Sequence, residues 1–162
     1  MSTRQPGDTI IQKNYKNAKL LLIEDNPDHG MIINRVVGQC LPQVKATLAA
    51  NESEAMHYLE QCCEAEWELP KLILLDLYMP ERQTGWRLLD KIKSMPAGMA
   101  KVPVVLLSHS NSPTDVAEAY QRGCASYLIK PATAEEWSRY FNQLRLFWWE
   151  TATLPRTEIS LL

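Results

Sequence analysis

Five short apolar runs punctuate the chain: KLLLIE (19–24), VKATLAA (44–50), KLILLD (71–76), VPVVLLS (102–108) and ASYLIK (125–130). Four of them are nearly continuous, the pattern of strands covered on both faces of a parallel sheet. The second mixes polar and apolar positions, which predicts a less buried strand. Between the runs the period changes from strand to helix. Asn26 and Pro27 supply an N-cap and a first helical residue, and Ile32, Ile33, Val36, Val37 and Cys40 follow at helical spacing. Asn51 and Glu54 form a capping-box pattern ahead of Met56, Leu59, Cys62 and Cys63. Leu88, Leu89 and Ile92 mark a third helix beginning near Gly85. Ser112-Pro113 opens a fourth, with Asp115 in its first turn and Gly123 just past its end, and Thr133 and Glu136 open a fifth that runs to about Trp149. Strand and helix alternate without interruption, which predicts a doubly wound α/β fold with a five-stranded parallel sheet and five helices.

In the last helix, Trp137, Tyr140, Phe141, Leu144, Phe147 and Trp148 fit one core-facing stripe, while Leu146 and Trp149 fall off it. That is more large apolar surface than one buried face needs. A tail folded over a broad stripe accounts for it; so does an interface, because contiguous exposed apolar patches mark partners. The expectation here is a homodimer through the fourth and fifth helices or the tail. Residues 1–17 and 151–162 fall outside the alternation and read as an N-terminal extension and a C-terminal tail around a single domain, 18–150.

Composition narrows the function classes. The chain has 162 residues, 17 basic and 19 acidic, for a formal net charge of -2. A balance of that kind gives no bulk electrostatic drive toward nucleic acid. No apolar run approaches a membrane span, and the N-terminus lacks the continuous apolar core of a secretory signal. The four cysteines, Cys40, Cys62, Cys63 and Cys124, include no CxxC pair and read as reduced thiols packed in helices of a cytoplasmic protein. His29 and His57 sit among polar neighbours and read as solvated.

Sites in doubly wound sheets form at the carboxyl ends of the strands. There the sequence changes character: the first strand ends in Glu24-Asp25, the third in Asp76, the fourth in Ser108 and the fifth in Lys130. Any one of these alone suits a surface strand end. Together they bring three carboxylates, a hydroxyl and an ammonium to one edge. Three close carboxylates resist ionisation together, and a hard divalent cation such as Mg²⁺ relieves the conflict. No His or Cys ligand set for zinc accompanies them. Aspartate forms acyl phosphates in covalent catalysis, and phosphoryl transfer needs charge cancelled on the phosphoryl oxygens, so Asp76 is the candidate nucleophile with Ser108 and Lys130 as oxygen partners.

The fragments LLIEDNPD, LILLDLYMP, VVLLS and SYLIKP, in that order, resemble the receiver domain of two-component response regulators over about Ala18 to Trp149. The resemblance implies a flavodoxin-like sheet of order 2-1-3-4-5. It implies that Asp76 is phosphorylated by a sensor histidine kinase, that Asp25 binds Mg²⁺ directly and Glu24 through water, and that the main-chain carbonyl of Tyr78 is a further ligand. Ser108 and Lys130 match the residues that hold the phosphoryl group, and Tyr127 matches the switch aromatic. A cis Lys130–Pro131 bond is also implied. The EDNP start, the lack of an output domain and the tail FWWETATLP are similar to the stand-alone regulators of cyanobacterial-type phytochromes, which makes a phytochrome-type kinase the expected partner. The chain departs from the family in three places. Four residues separate Pro80 from Gly85, one more than usual; bulky Tyr78 lies two past Asp76; and His109 follows Ser108 where a small residue is usual. Two other classes use part of this inventory. A phosphohydrolase with an aspartyl nucleophile needs a second Asp two residues on, where this chain has Tyr78. A phosphorylation-independent binding module tends to lose an acid or the lysine, and this chain keeps all of them.

Overall fold

The computed structural model describes residues 6–65 and 68–155. Five parallel strands, β1 (Lys19–Ile23), β2 (Lys45–Ala49), β3 (Leu72–Asp76), β4 (Val104–Ser108) and β5 (Ser126–Ile129), form one sheet of order β2-β1-β3-β4-β5. The register aligns Leu21 with Ile73, Leu75 with Leu106 and Ser108 with Ile129. The ends of β1, β3, β4 and β5 therefore finish along one edge. Side chains alternate across the sheet. Leu21, Ile23, Ile73, Leu75, Val104 and Leu106 enter one core with Leu59, Trp86, Leu88 and Ile92. Leu20, Leu22, Leu72, Leu74, Val105 and Leu107 enter the other with Ile33, Val37, Trp137, Phe141 and Trp149. Both faces are apolar, which is why the three central strands read as continuous runs. The two edge strands are wetter. That was expected of β2; β5 is also only partly covered, because no strand lies beyond it.

The helices are α1 (Pro6–Tyr15), α2 (Pro27–Cys40), α3 (Glu52–Cys63), α4 (Arg82–Lys93), α5 (Ala97–Ala100), α6 (Pro113–Gln121) and α7 (Ala134–Leu144), followed by a π-turn over Arg145–Trp149. The caps follow the sequence signals. Asn26 Oδ1 accepts from the amides of Asp28 (3.0 Å) and His29 (3.4 Å), Asn51 Oδ1 from Glu54 (2.8 Å), and Thr133 Oγ1 from Glu136 (3.2 Å).

Three expectations need correction, and a fourth, the N-terminal extension, gains detail. The expected extension 1–17 contains α1, whose Asn14 Nδ2 donates to the carbonyls of Trp149 (3.0 Å) and Ala152 (2.7 Å) and so ties the two ends of the described chain together. The third expected helix starts at Arg82, and Gly85 lies inside its first turn. The fifth does not stay α-helical to Trp149. The π-turn adds a residue to the last turn and rotates its register, so Trp149 is fully buried while Phe147 is 54% exposed, the reverse of the stripe drawn on α spacing. Last, among the described residues the cis X-Pro bond is Met79–Pro80, not Lys130–Pro131. Of the expected extension and tail, residues 1–5 and 156–162 lie outside the described residues. No described helix is long and apolar enough to cross a membrane.

Candidate functional site

The residues expected at the strand ends do meet. Glu24 follows β1, Asp76 closes β3, Ser108 closes β4 and Lys130 follows β5. All four side chains are buried, in a fold that rarely tolerates buried charge without partners. Lys130 Nζ is the partner. It lies 2.6 Å from Glu24 Oε2 and 3.1 Å from Asp76 Oδ2. Asp76 Oδ1 accepts from the amide of Tyr78 at 3.2 Å, and Glu24 Oε1 from the amide of Asn26 at 3.1 Å. Burial pushes the Asp76 carboxyl up to about 7; the neighbouring Glu24 charge adds to this and Lys130 opposes it. With no cation bound, burial therefore favours the neutral acid and Lys130 the carboxylate.

Among the described residues, Glu24, Asp25 and Asp76 each place a carboxylate oxygen within 4.8 Å of the other two. Asp25 is the partly exposed member. Three hard oxygens around a common point, with one lysine for three potential negative charges, suit a divalent cation of the Mg²⁺ or Mn²⁺ kind. Ser108 Oγ accepts from the amide of Ser110 at 3.0 Å.

Two features of the mouth were not evident from the sequence pattern. His29, on the first turn of α2, is half-buried rather than solvated. Its Nδ1 lies 3.4 Å from Lys130 Nζ and 3.9 Å from Glu24 Oε1, and its ring meets that of His109 edge-on at 5.7 Å. Burial, together with Lys130 and His29, pushes the His109 imidazolium toward its neutral form. A helical pattern shows which face a residue occupies but not which strand end that face meets. His57 is exposed as expected.

The second feature is Asp115, in the first turn of α6 and 1% exposed. Its Oδ2 accepts from the hydroxyls of Tyr78 (2.9 Å) and Ser110 (2.7 Å), and its Oδ1 from Arg82 Nη1 (2.8 Å). Burial alone would raise the Asp115 carboxyl, but the bonds from Ser110, Arg82 and Tyr78 hold it below the usual carboxylate range. Ser110 also connects to the expected switch aromatic, because the Tyr127 hydroxyl donates to its carbonyl at 2.7 Å.

An acidic cluster beside a buried lysine, at the carboxyl edge of a 2-1-3-4-5 sheet, can be compared with known proteins. Residues 20–141 match the response regulator receiver domain family. The chain is 30% identical over 139 residues to the response regulator Rcp1 of Synechocystis sp., covering 84% of this chain and 92% of that protein. The crystal structure of the Mn²⁺-bound form of Rcp1 aligns over 86% of this chain and 99% of the other with a TM-score of 0.71. The phosphorylated cyanobacterial phytochrome response regulator RcpA aligns over 86% of this chain and 99% of its own at 32% identity, with a TM-score of 0.73. A third relative, described as a probable methanogenesis regulatory protein FilR2 of Methanothrix harundinacea, is 32% identical over 129 residues, 80% of this chain and 82% of its own. The chain belongs to the response regulator receiver domain family, whose members act in phosphorylation-based two-component signalling.

Proposed function

We propose that this receiver is a phosphorylation-dependent switch that accepts a phosphoryl group on Asp76 from the phosphohistidine of a sensor histidine kinase. The observation that carries the reading is the pairing of buried Asp76 with Lys130 at 3.1 Å inside a three-carboxylate cluster. An Asp76 oxygen forms the new bond to phosphorus as the bond from phosphorus to the kinase imidazole nitrogen breaks. The ammonium of Lys130 favours the ionised form of the attacking acid against burial and Glu24, and then faces a phosphoryl oxygen. Glu24, Asp25, Asp76 and the Tyr78 carbonyl would hold Mg²⁺, which supplies neutralisation of charge on the transferring group. The Mn²⁺ bound by Rcp1 supports such a donor set.

In the switched state Ser108 leaves the Ser110 amide to meet the phosphoryl group, and Tyr127 changes rotamer as its bond to Ser110 is strained. Tyr78 and His109 shield the acyl phosphate from water and prolong its life. The readout face is α6, β5, α7 and the π-turn that follows it, where Tyr120, Ile129, Leu146 and Phe147 are exposed. We assign that face, or the tail, to a homodimer, and the receiver unit to 18–150. The kinase is of phytochrome type, by similarity to RcpA, and the site of action is cytoplasmic.

The deciding experiment is incubation with Mg²⁺ and acetyl phosphate followed by intact-mass measurement. A phosphate adduct that is absent in Asp76→Asn is expected. Failure of the wild-type protein to take phosphate from either acetyl phosphate or a phosphorylated kinase overturns the reading.

A further inference from the structure

Tyr78 leaves the end of β3 with its backbone fixed on Asp76 and its hydroxyl fixed on Asp115, across the gap to α6. The side chain thus spans from the loop after β3, which carries the acceptor, to the first turn of α6. Tyr78 is nevertheless 39% exposed, so no core packing holds it in that pose. Its orientation depends on what receives the hydroxyl. The receiver is a carboxylate that the protein has buried and fully satisfied, with three donors from three separate segments.

Arg82 makes this arrangement purposeful. It opens α4, where the helix dipole disfavours a cation, and Glu81 caps that end with no side-chain hydrogen bond. Arg82 is placed there to meet Asp115. It lies in the Pro80–Gly85 segment, which is one residue longer than the family pattern. The bulky residue at position 78 and the longer loop, two departures that look unrelated in sequence, converge on one carboxylate.

We propose that Asp115 is a positioning residue for the acceptor site: by binding Tyr78, Ser110 and Arg82 together it holds the Tyr78 ring across the mouth and sets the lifetime of the phosphoryl group on Asp76. The inference rests on the proposed phosphorylation of Asp76. Asp115 touches neither the acceptor nor the metal ligands' carboxylates; it acts through Tyr78.

The test follows phosphate loss by intact mass after acetyl phosphate loading and desalting, in the full chain and in Asp115→Ala, Asp115→Asn, Tyr78→Phe and the Asp115→Ala/Tyr78→Phe pair. Asp115→Ala and Tyr78→Phe are each expected to hasten loss about fivefold, the factor given by one net hydrogen bond. The double variant is expected to be no faster than either, because both changes free the same ring. Asp115→Asn keeps an oxygen for both hydroxyls and is expected to retain the wild-type lifetime, a rescue that a general loss of packing would not show. Should Asp115→Ala not fold, Asp115→Leu, branched like Asp but without an acceptor, replaces it in the same cycle. Wild-type decay in Asp115→Ala, or effects of Asp115 and Tyr78 that multiply, overturns the positioning role while leaving the acceptor reading intact. A wild-type chain that takes no phosphate overturns both.

Discussion

Gly85 offers the sharpest test of how the site is built. It lies on the buried face of α4, and a Cβ there would stand 2.0 Å from the carbonyl oxygen of Leu77, 2.7 Å from its carbonyl carbon and 2.8 Å from its Cα. Real Cβ atoms essentially never come within 3.0 Å of another heavy atom, so Gly85→Ala forces the helix and strand end at least about 1 Å apart. The atoms that must yield are backbone, and Leu77 lies between Asp76 and Tyr78, with its amide bonded to the Leu107 carbonyl at 3.0 Å. No rotamer change relieves the clash. Overpacking of this kind costs about 1–3 kcal/mol, and a backbone obstacle puts it at the upper end. For a domain of this size each kcal/mol lowers Tm by about 2–4 °C, so a fall of roughly 6–12 °C is expected. Gly38→Ala is the internal control. It sits on an exposed face of α2 with no atom within 4 Å of the added carbon, and the gain in helix propensity is about 0.5–1 kcal/mol, a small rise in Tm. Circular dichroism melts of the two variants and the wild type decide the matter. A Gly85→Ala protein melting within a degree or so of wild type would refute the close approach of α4 to the end of β3. A Gly38→Ala protein that loses as much would show that any side chain added to a helix is harmful and that the distance argument has no force.

Other consequences differ in where they act. Trp149→Ala removes a fully buried ring and is expected to cost about 3–5 kcal/mol, whereas Phe147→Ala, at a position 54% exposed, is expected to stay within about 0.5 kcal/mol; melts in which Phe147 matters more would contradict the π-turn register. Glu52 accepts from Arg87 at 2.8 and 2.6 Å and from Lys91 at 2.9 Å, and these bonds, Arg87 first, hold its carboxyl down to about 2. A depressed folded-state pKa gives stability that is present above the unfolded value of 4.5 and lost as pH falls toward 2. Glu52→Gln is therefore expected to lose about 0.5–1 kcal/mol at pH 7, discounted for solvent screening of its exposed partners, and to match wild type near pH 2; an equal loss at both pH values would refute the ion-pair account. Asp76 shows the opposite sign. With its folded-state pKa raised toward 7, metal-free protein is expected to lose stability as pH rises from about 4 to about 7, and Asp76→Asn is expected to remove most of that slope. Denaturant titrations in chelator across that range would contradict the burial argument if the slope persisted unchanged in the variant.

How far the sequence carries depends on which interactions are periodic. β1, β3 and β4 were legible because both of their faces are buried and the pattern needs no partner to be read. The acids, Ser108 and Lys130 were legible because strand ends in a doubly wound sheet converge by topology alone. The π-turn was not, since one inserted residue leaves the composition of Arg145–Trp149 unchanged while rotating Trp149 inward. α1 has no marked apolar stripe, and polar contacts hold it instead: Asn14 bonds to the carbonyls of Trp149 and Ala152, and the Tyr15 hydroxyl bonds to Glu150 Oε1 at 3.3 Å. His29 and Asp115 read as ordinary first-turn residues of their helices. Their roles arise from which loops face those turns, Lys130 and His109 for one and Tyr78, Arg82 and Ser110 for the other. A polar residue at a helix start near a strand end was the available signal, and it does not distinguish a cap from a site wall.

The two walls share one element. Residues 108–112 supply His109 to the ring contact with His29 and Ser110 to the bond with Asp115, and the same Ser110 receives the Tyr127 hydroxyl. Ser108, at the head of this segment, is held by the Ser110 amide. A phosphoryl group on Asp76 that recruits Ser108 would pull on a segment held on three sides: by a ring contact to α2 and by hydrogen bonds to α6 and to β5. Ser110 is bonded both to Asp115 and to Tyr127, so a displacement of this segment disturbs both contacts together. That coupling gives the proposed switch a physical route from the acceptor to the exposed face of β5 and α6, and it implies that residues lengthening the phosphorylated state also resist the change of state. Tyr78 and Asp115 stand on both sides of that balance, so variants there are expected to change the lifetime of the phosphate and the readiness of Tyr127 to turn in the same experiment.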